Sequence, residues 1–236
     1  MLSDLLEKTT PKYSCKLPIS GKTVWYRPFF VREEKMLLLA IEENSSRSLA
    51  ITMAEIIKNC CEEINSPNSM FFSDAIYLFL KIRSKSVSES IESTIISEGQ
   101  EIEIELDLES GIGLEGSKQK PKIELAKNLM IEMREPILQD YIDVEFNNDL
   151  TGHYELISRC IKTVSTTDTD IETNSLPTEE VIEFVEKLNR NQFKKVVDFI
   201  TNSPKVFLQT KYIIDGEEKN LKIESIFDFF AFPSAT

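Results

Sequence analysis

The amino-acid sequence predicts an α+β fold, mainly helical, in which the helices pack with short antiparallel β-hairpins. Two kinds of hydrophobic spacing support this prediction. Apolar residues recur every three or four positions in several stretches, as on one face of a helix, and alternate with polar residues in others, as in a half-buried strand. The composition is that of an ordinary globular protein, because 41% of the 236 residues are hydrophobic and 28% are charged.

The first third of the chain is predicted to contain one hairpin and three helices. Ser20-Gly21 separates two stretches of β-favouring residues, and Pro28 ends the second stretch. The helices are expected from Arg32 to about Asn44, from about Ser48 to Ile64, and from Asp74 to about Arg83 with Ser73 as the N-cap. The third helix is predicted to be central and buried, because apolar residues cover nearly all of its surface.

The middle of the chain changes to strand periodicity. Four apolar residues alternate with five acidic ones, namely Ile102, Ile104, Leu106 and Leu108 with Glu101, Glu103, Glu105, Asp107 and Glu109. Ser93 to Ser97 is the predicted partner strand, and a further strand is expected from Asn128 to Arg134. The acidic row has three interpretations: a solvated strand face, a docking surface for a basic partner, or an edge strand protected by charge.

The last part of the chain is predicted to form a separate helical and hairpin region. A short helix is expected around Tyr154 to Lys162, and the polar, aperiodic stretch 163–177 is interpreted as a linker. Two amphipathic helices and a hairpin that turns at Asp215-Gly216 follow. The predicted division is therefore 1–162, 163–177 and 178–236, with the order helix, loop, hairpin occurring twice.

Charge and cysteine content exclude several classes of partner. The net charge of −13 repels phosphate backbones and anionic lipid headgroups, so neither nucleic acid nor a membrane is expected as a partner. The N-terminus lacks the basic flank of an export signal, and no apolar run approaches the ~20 residues of a membrane span. The four cysteines lack C-x-x-C spacing, which predicts reduced thiols in a reducing compartment and no zinc site.

No pattern of catalytic residues accompanies the few candidate motifs. Gly111 to Gly116 reads G-x-G-x-x-G, but a polar, proline-terminated stretch follows in place of the helix that a dinucleotide site needs. We therefore predict a loop there, and keep a nucleotide-binding enzyme as the alternative from a different class. His153 is the only histidine and has no accompanying nucleophile signature. No cofactor, metal or small-molecule ligand is expected.

Aromatic residues cluster near the end of the chain, where few residues remain to cover them. They are predicted to form an exposed contact surface, together with the acidic row. The candidate partner-binding residues are Phe227, Phe229, Phe230, Phe232, Glu101, Glu103 and Glu105.

Three stretches resemble the baseplate hub subunit family of T-even-type bacteriophages. The most specific is Lys16 to Lys35, which contains an S-G-K turn, the string Y-R-P-F and an E-E-K helix start. The others are Tyr77 to Val87 and Phe193 to Phe230. Some members of the family carry cysteine pairs at the hairpin turns, which suggest small metal-bound knuckles. This chain has no cysteine at those turns, so its hairpins are expected to be held by packing alone.

The resemblance implies a non-enzymatic protein that helps to build the central hub of a contractile tail baseplate. It implies synthesis in the cytoplasm of the infected bacterium and binding to other hub proteins. Two roles remain open on this basis, a permanent subunit of the virion and a transient tail assembly chaperone that is absent from it. The family implies no catalytic residues.

Overall fold

The computed structural model describes residues 9–86, 90–97, 99–146 and 151–224. In chain order its helices are α1 Val31–Glu43, α2 Ser46–Cys60, α3 Phe72–Ser86, α4 Leu138–Asp143, α5 Thr151–Cys160, α6 Thr178–Glu186 and α7 Arg190–Asn202. Its strands are β1 Tyr13–Lys16, β2 Thr23–Tyr26, β3 Ser90–Ser97, β4 Gln100–Asp107, β5 Ile112–Glu115, β6 Lys122–Ala126, β7 Leu129–Met133, β8 Ile161–Thr166, β9 Asp170–Glu172, β10 Lys205–Ile214 and β11 Glu217–Ile223. Two short 3₁₀ helices are Pro67–Ser69 and Thr173–Ser175.

These elements form two compact units. The first contains the described residues of 1–115 and 205–236, and the second contains 116–204. The division differs from the predicted boundaries at 162 and 178. Residues 163–177, interpreted from sequence as a linker, contain most of β8, all of β9 and a 3₁₀ helix within the second unit.

The first unit has three antiparallel sheets and a helical core. The sheets are β1–β2, β3–β4, and β11–β10–β5. Helix α3 contacts both α2 and β10, and its side chains Leu78, Leu80 and Ile82 are fully buried, as the sequence predicts. The buried carboxylate of Asp74 on α3 accepts hydrogen bonds from the backbone amides of Ile19 and Ser20 at 2.8 and 3.0 Å. This contact fixes the β1–β2 turn against the helix.

A buried ion pair joins β2 to the start of α1. The carboxylate of Glu33 is completely buried and accepts hydrogen bonds from Arg27 at 3.2 Å and from Arg32 at 2.6 Å. Its second oxygen accepts from the N-cap amide of Phe30 at 2.8 Å, which satisfies one of the free donors at a helix start. The amide of Arg27 donates to the carbonyl of Cys60 at 3.0 Å. One arginine therefore ties together β2, the start of α1 and the end of α2.

The second unit contains one four-stranded antiparallel sheet, ordered β6–β7–β8–β9. Its core includes side chains from the sheet and from α5, α6 and α7, among them Ile131, Met133, Ile157, Cys160, Val185 and Val196. In this unit the guanidinium group of Arg134 donates two hydrogen bonds to the buried carboxylate of Asp140, at 2.6 and 2.8 Å. Asp140 also accepts from the N-cap amide of Ile137, and the amide of Arg134 donates to the carbonyl of Cys160 at 2.8 Å.

The prediction of a mainly helical fold is wrong. Strands account for 31% of the described residues and form four sheets beside seven helices, so the fold is mixed α and β. The unpredicted strands are β5, β6, β8 and β9, which are short or rich in glycine, threonine and polar residues. Strands β5 and β8 pair with β10 and β7, which are distant in sequence, so local alternation of apolar residues does not reveal them. Strands β6 and β9 pair with the adjacent β7 and β8 in hairpins and are only five and three residues long.

The predicted helices and the predicted hairpins are present, with ends that differ by a few residues. Ser73 is not an N-cap, because α3 begins at Phe72. Helix α4 was not predicted. Within the described ranges, no helix combines the length and the apolar character that crossing a bilayer requires.

Replacing Glu33 by glutamine should destabilise the first unit by about 3–5 kcal/mol at neutral pH, because Arg27 then loses its buried counterion. Hydrogen bonds from Arg32, Phe30 and Arg27 outweigh the effect of burial and hold the pKa of Glu33 below its ordinary value. Its contribution to stability is therefore complete above the unfolded pKa of about 4.3 and is lost as the pH falls through the folded pKa.

Urea denaturation as a function of pH measures this difference. The free energies of unfolding of wild type and Glu33→Gln should converge in acid, while Glu42→Gln, on an exposed part of the same helix, should resemble wild type throughout. A difference between wild type and Glu33→Gln that does not depend on pH would contradict the prediction.

Candidate functional site

The acidic row of strand β4 forms an exposed surface. Glu101, Glu103 and Glu105 are exposed, whereas Ile104 and Leu106 between and beside them are buried. We call the side of β4 that carries these three glutamates the acidic face. The alternation predicted from sequence therefore places three carboxylates on one side of the strand and its apolar residues in the core.

Strand β4 pairs with one strand and packs beside another. It pairs with β3 from Ser90↔Asp107 to Ser97↔Gln100. On the other side β10 lies beside it, and the hydroxyl of Thr210 donates a hydrogen bond to the carbonyl of Glu105 at 2.6 Å. Because β3 is the only strand that forms a backbone ladder with β4 in the described part of the chain, the interpretation of the acidic row as protection for an open edge strand stays a prediction.

The acids at the base of β4 have a local structural role. Hydrogen bonds from the Ser110 hydroxyl and amide hold the pKa of Asp107 below its ordinary value. A hydrogen bond from Lys85, at 2.8 Å, outweighs burial and likewise lowers the pKa of Glu109. In contrast, Glu101, Glu103 and Glu105 make no ion pair within the described part of the chain. Their charges are available to a partner.

An open cleft of about 620 Å³ adjoins the acidic face. Side chains from β4 and β10 line it together, among them Glu105, Asp107, Gln209 and Lys211, with Asn220 from β11. Lys211 forms an ion pair with Glu218 at 2.6 Å, which neutralises the charge of the lysine. The lining of the cleft therefore carries an excess of negative charge. The shared lining also means that the two hairpins present these side chains on the same side of the unit.

The predicted aromatic contact surface cannot be placed. Phe227, Phe229, Phe230 and Phe232 lie outside the described residues. The structure therefore brings together the acidic members of the predicted set and leaves the aromatic members as a prediction.

Residues with catalytic potential have ordinary environments. His153 is exposed on α5, and its ring packs edge-on against Phe146 with centroids 5.8 Å apart. Burial raises the pKa of the Cys60 thiol to about 12 and also raises the pKa values of Cys61 and Cys160. These thiols are therefore protonated at neutral pH. No group of three or more His, Cys, Asp or Glu side chains in the described ranges is arranged to hold a metal ion.

The glycine-rich segment is a strand and not the predicted loop. Residues Ile112–Glu115 form β5, which pairs antiparallel with β10 through Gly113↔Phe207. A Cβ atom at Gly113 would collide with the Phe207 ring, so this glycine is needed for packing. Gly116 adopts φ +79°, a conformation that favours glycine. A phosphate-binding loop would instead open a helix, and β6 is the next regular element.

Two exposed isoleucines were not identified from sequence. Ile96 on β3 is 78% exposed and Ile213 on β10 is 69% exposed. Each precedes the last residue of its strand before a hairpin turn. The sequence of β10 does contain a signal for Ile213. Val206, Leu208 and Ile214 lie on the buried side of the strand, so alternation places Ile213 on the exposed side.

Comparison with known proteins identified one family. The sequence matches the family described as T4 bacteriophage base plate protein over residues 10–231, which is nearly the whole chain. The match confirms the resemblance to a T4-type baseplate protein that the sequence blocks indicated. Neither the curated proteins nor the solved structures contained a match.

Substituting Gly113 by alanine distinguishes a packing glycine from a ligand-binding one. We expect Gly113→Ala to reduce the free energy of unfolding by about 1–3 kcal/mol, because its methyl group displaces the Phe207 ring. In a Phe207→Ala background the same substitution should cost much less. Urea denaturation of the four proteins in this double-mutant cycle gives the coupling. Equal costs in both backgrounds would contradict the packing explanation.

Proposed function

We propose, because the chain belongs to the family of T4 bacteriophage base plate proteins, that it works in the central hub of a contractile tail baseplate. Family membership supports a structural or assembly role in the baseplate. The location in the hub, and the mode of action by binding other hub proteins, are our proposals. The protein would be made in the host cytoplasm and would act there or in the finished tail.

The acidic face of β4 is the observation that carries the proposal of protein binding. Glu101, Glu103 and Glu105 project from a strand whose other side is anchored in the core by Ile104 and Leu106. These three carboxylates make no ion pair with the residues that the structure describes and form a pre-organised negative surface, and such a surface accelerates and orients docking of a basic protein. The net charge of −13 favours a basic protein over nucleic acid or an anionic membrane.

Binding accounts for the structure better than catalysis does. The alternative from a different class was a nucleotide-dependent enzyme that uses residues 111–116. Those residues include a strand with a packed glycine, and no helix start lies next to it. We therefore propose that the protein is not an enzyme and needs no cofactor or small molecule.

Two versions of the hub role make different predictions about where the protein is found. A permanent subunit should be present in purified tails, whereas a tail assembly chaperone should be present only in hub intermediates. The acidic charge, together with the predicted aromatic C-terminus, favours the chaperone.

Quantitative mass spectrometry of hub intermediates and of finished tails tests the chaperone role. We expect the chain in the intermediates and not in the finished tails. Major tail proteins serve as the internal control for recovery. Equal abundance in both fractions would establish a permanent subunit, and absence from both would contradict the hub proposal.

Charge reversal of the acidic face should impair baseplate assembly. The triple substitution Glu101→Lys, Glu103→Lys and Glu105→Lys should reduce the yield of infectious particles at least about tenfold when it complements a phage that lacks the gene, because it repels a basic partner. The matched control reverses three exposed acids on α6, namely Glu179→Lys, Glu180→Lys and Glu186→Lys. Equal effects of the two triple variants would assign the loss to net charge and would contradict a specific acidic face.

A further inference from the structure

The two halves of the described chain repeat one order of elements. The first half begins with the β1–β2 hairpin and ends with the β3–β4 hairpin, and the second begins with β6–β7 and ends with β10–β11. In each half the first hairpin is followed by an arginine, two helices, a 3₁₀ helix, at least one further helix and the last hairpin. The second half also contains β8 and β9.

The agreement extends to individual hydrogen bonds. Arg27 contacts an acid six residues later, and Arg134 does the same. Each acid accepts a hydrogen bond from the N-cap amide of its own helix at 2.8 Å. Each arginine amide donates to the carbonyl of the cysteine that ends the second helix, Cys60 or Cys160. This combination of spacing, residue types and hydrogen bonds indicates two copies of one structural motif.

In this repeat, the hairpin β3–β4 is the counterpart of the hairpin β10–β11. In each hairpin the residue before the second strand is a glycine with positive φ, Gly99 or Gly216, and the closing pairs are Ser97↔Gln100 and Ile214↔Glu217. Counting from the turns, the exposed Ile96 corresponds to the exposed Ile213. The cross-strand partner of each isoleucine is a glutamate, because Ile96 pairs with Glu101 and Ile213 pairs with Glu218.

Both hairpins belong to the first unit, and their tips lie together. The hydroxyl groups of Ser97 and Tyr212, the residues next to the two isoleucines in sequence, are 3.2 Å apart. Farther from the tips, the hydroxyl of Thr210 donates a hydrogen bond to the backbone carbonyl of Glu105 on β4. Strands β4 and β10 are thus the inner neighbours, and the two hairpins stand side by side with equivalent isoleucines near their ends.

The surroundings of the isoleucines are acidic. Cross-strand partners share one side of a hairpin, so Glu101 lies beside Ile96 and Glu218 lies beside Ile213. Glu218 is paired with Lys211, while Glu101 and Glu103 on β4 make no ion pair with any described residue. The surface therefore consists of two apolar points with the negative charge of β4 between them, and its complement carries apolar side chains next to lysine or arginine.

We propose that Ile96 and Ile213 are two equivalent anchor points of one docking face, and that its occupant is a basic baseplate protein that covers each isoleucine with an apolar side chain. The inference rests on the proposed function, because it specifies how the acidic face binds its partner. Exposed apolar side chains of this size at two equivalent positions give a two-point contact. The carboxylates between them orient the partner.

The test measures binding of the purified chain to each individually purified baseplate protein of the encoding phage. Ile96→Ser and Ile213→Ser should each raise the dissociation constant about tenfold, as loss of an interface anchor does. The double variant should raise it further. The matched control is Ile171→Ser, which alters an isoleucine that is 44% exposed on β9 in the second unit. It should leave binding unchanged. Thermal unfolding should give the same midpoint for all four variants and wild type.

Charge reversal of Glu101, Glu103 and Glu105 separates failure of this inference from failure of the proposed function. If charge reversal weakens binding and the isoleucine variants do not, the acidic face remains the binding surface and the two-point contact is overturned. An effect of only one isoleucine also overturns it. If neither charge reversal nor the isoleucine variants alter binding, the acidic face itself is wrong.

Discussion

The buried arginine–carboxylate contact is the interaction on which the rest of each unit depends. In the first unit, Arg27 and Glu33 connect the end of a hairpin, the start of α1 and the end of α2. A buried carboxylate is costly unless its oxygens are satisfied, and here an arginine and a helix N-terminus satisfy them. This requirement fixes the direction in which α1 leaves the hairpin. Arg134 and Asp140 impose the same constraint in the second unit.

Ion pairing and hydrogen bonding also distinguish the acids with a structural role from those of the proposed docking surface. Asp74, Asp107 and Glu109 are engaged by backbone amides, a hydroxyl group or lysines, and they stabilise turns and helix contacts. The glutamates of the acidic face have no ion-pair partner in the described residues. Their position is nevertheless fixed, because the opposite side of β4 is buried, β3 pairs with it and β10 packs beside it. A negative surface on a fixed strand is suited to docking, and it does not need a pocket.

Family membership and geometry contribute different parts of the functional conclusion. The match over residues 10–231 supports a baseplate protein but does not locate a contact surface. The geometry identifies the acidic face and the two exposed isoleucines beside it. The internal repeat then connects these features, since two hairpins from corresponding places in the chain are brought together at one surface.

The sequence by itself determined the elements whose periodicity is local. The helices α1, α2, α3, α5, α6 and α7, the alternation of β4 and the x-Gly hairpin turns were all predictable, because spacing along the chain records which side faces the core. Only the tertiary structure decided that β5 and β8 are strands. Gly113 is in a strand because it pairs with Phe207, and Thr163 because it pairs with Glu132, and neither partner is near in sequence. The same reason applies to the site: sequence predicted the glutamates of the acidic face and the hairpin that places Ile96 beside them, but only the tertiary packing of β10 against β4 brought Ile213 near.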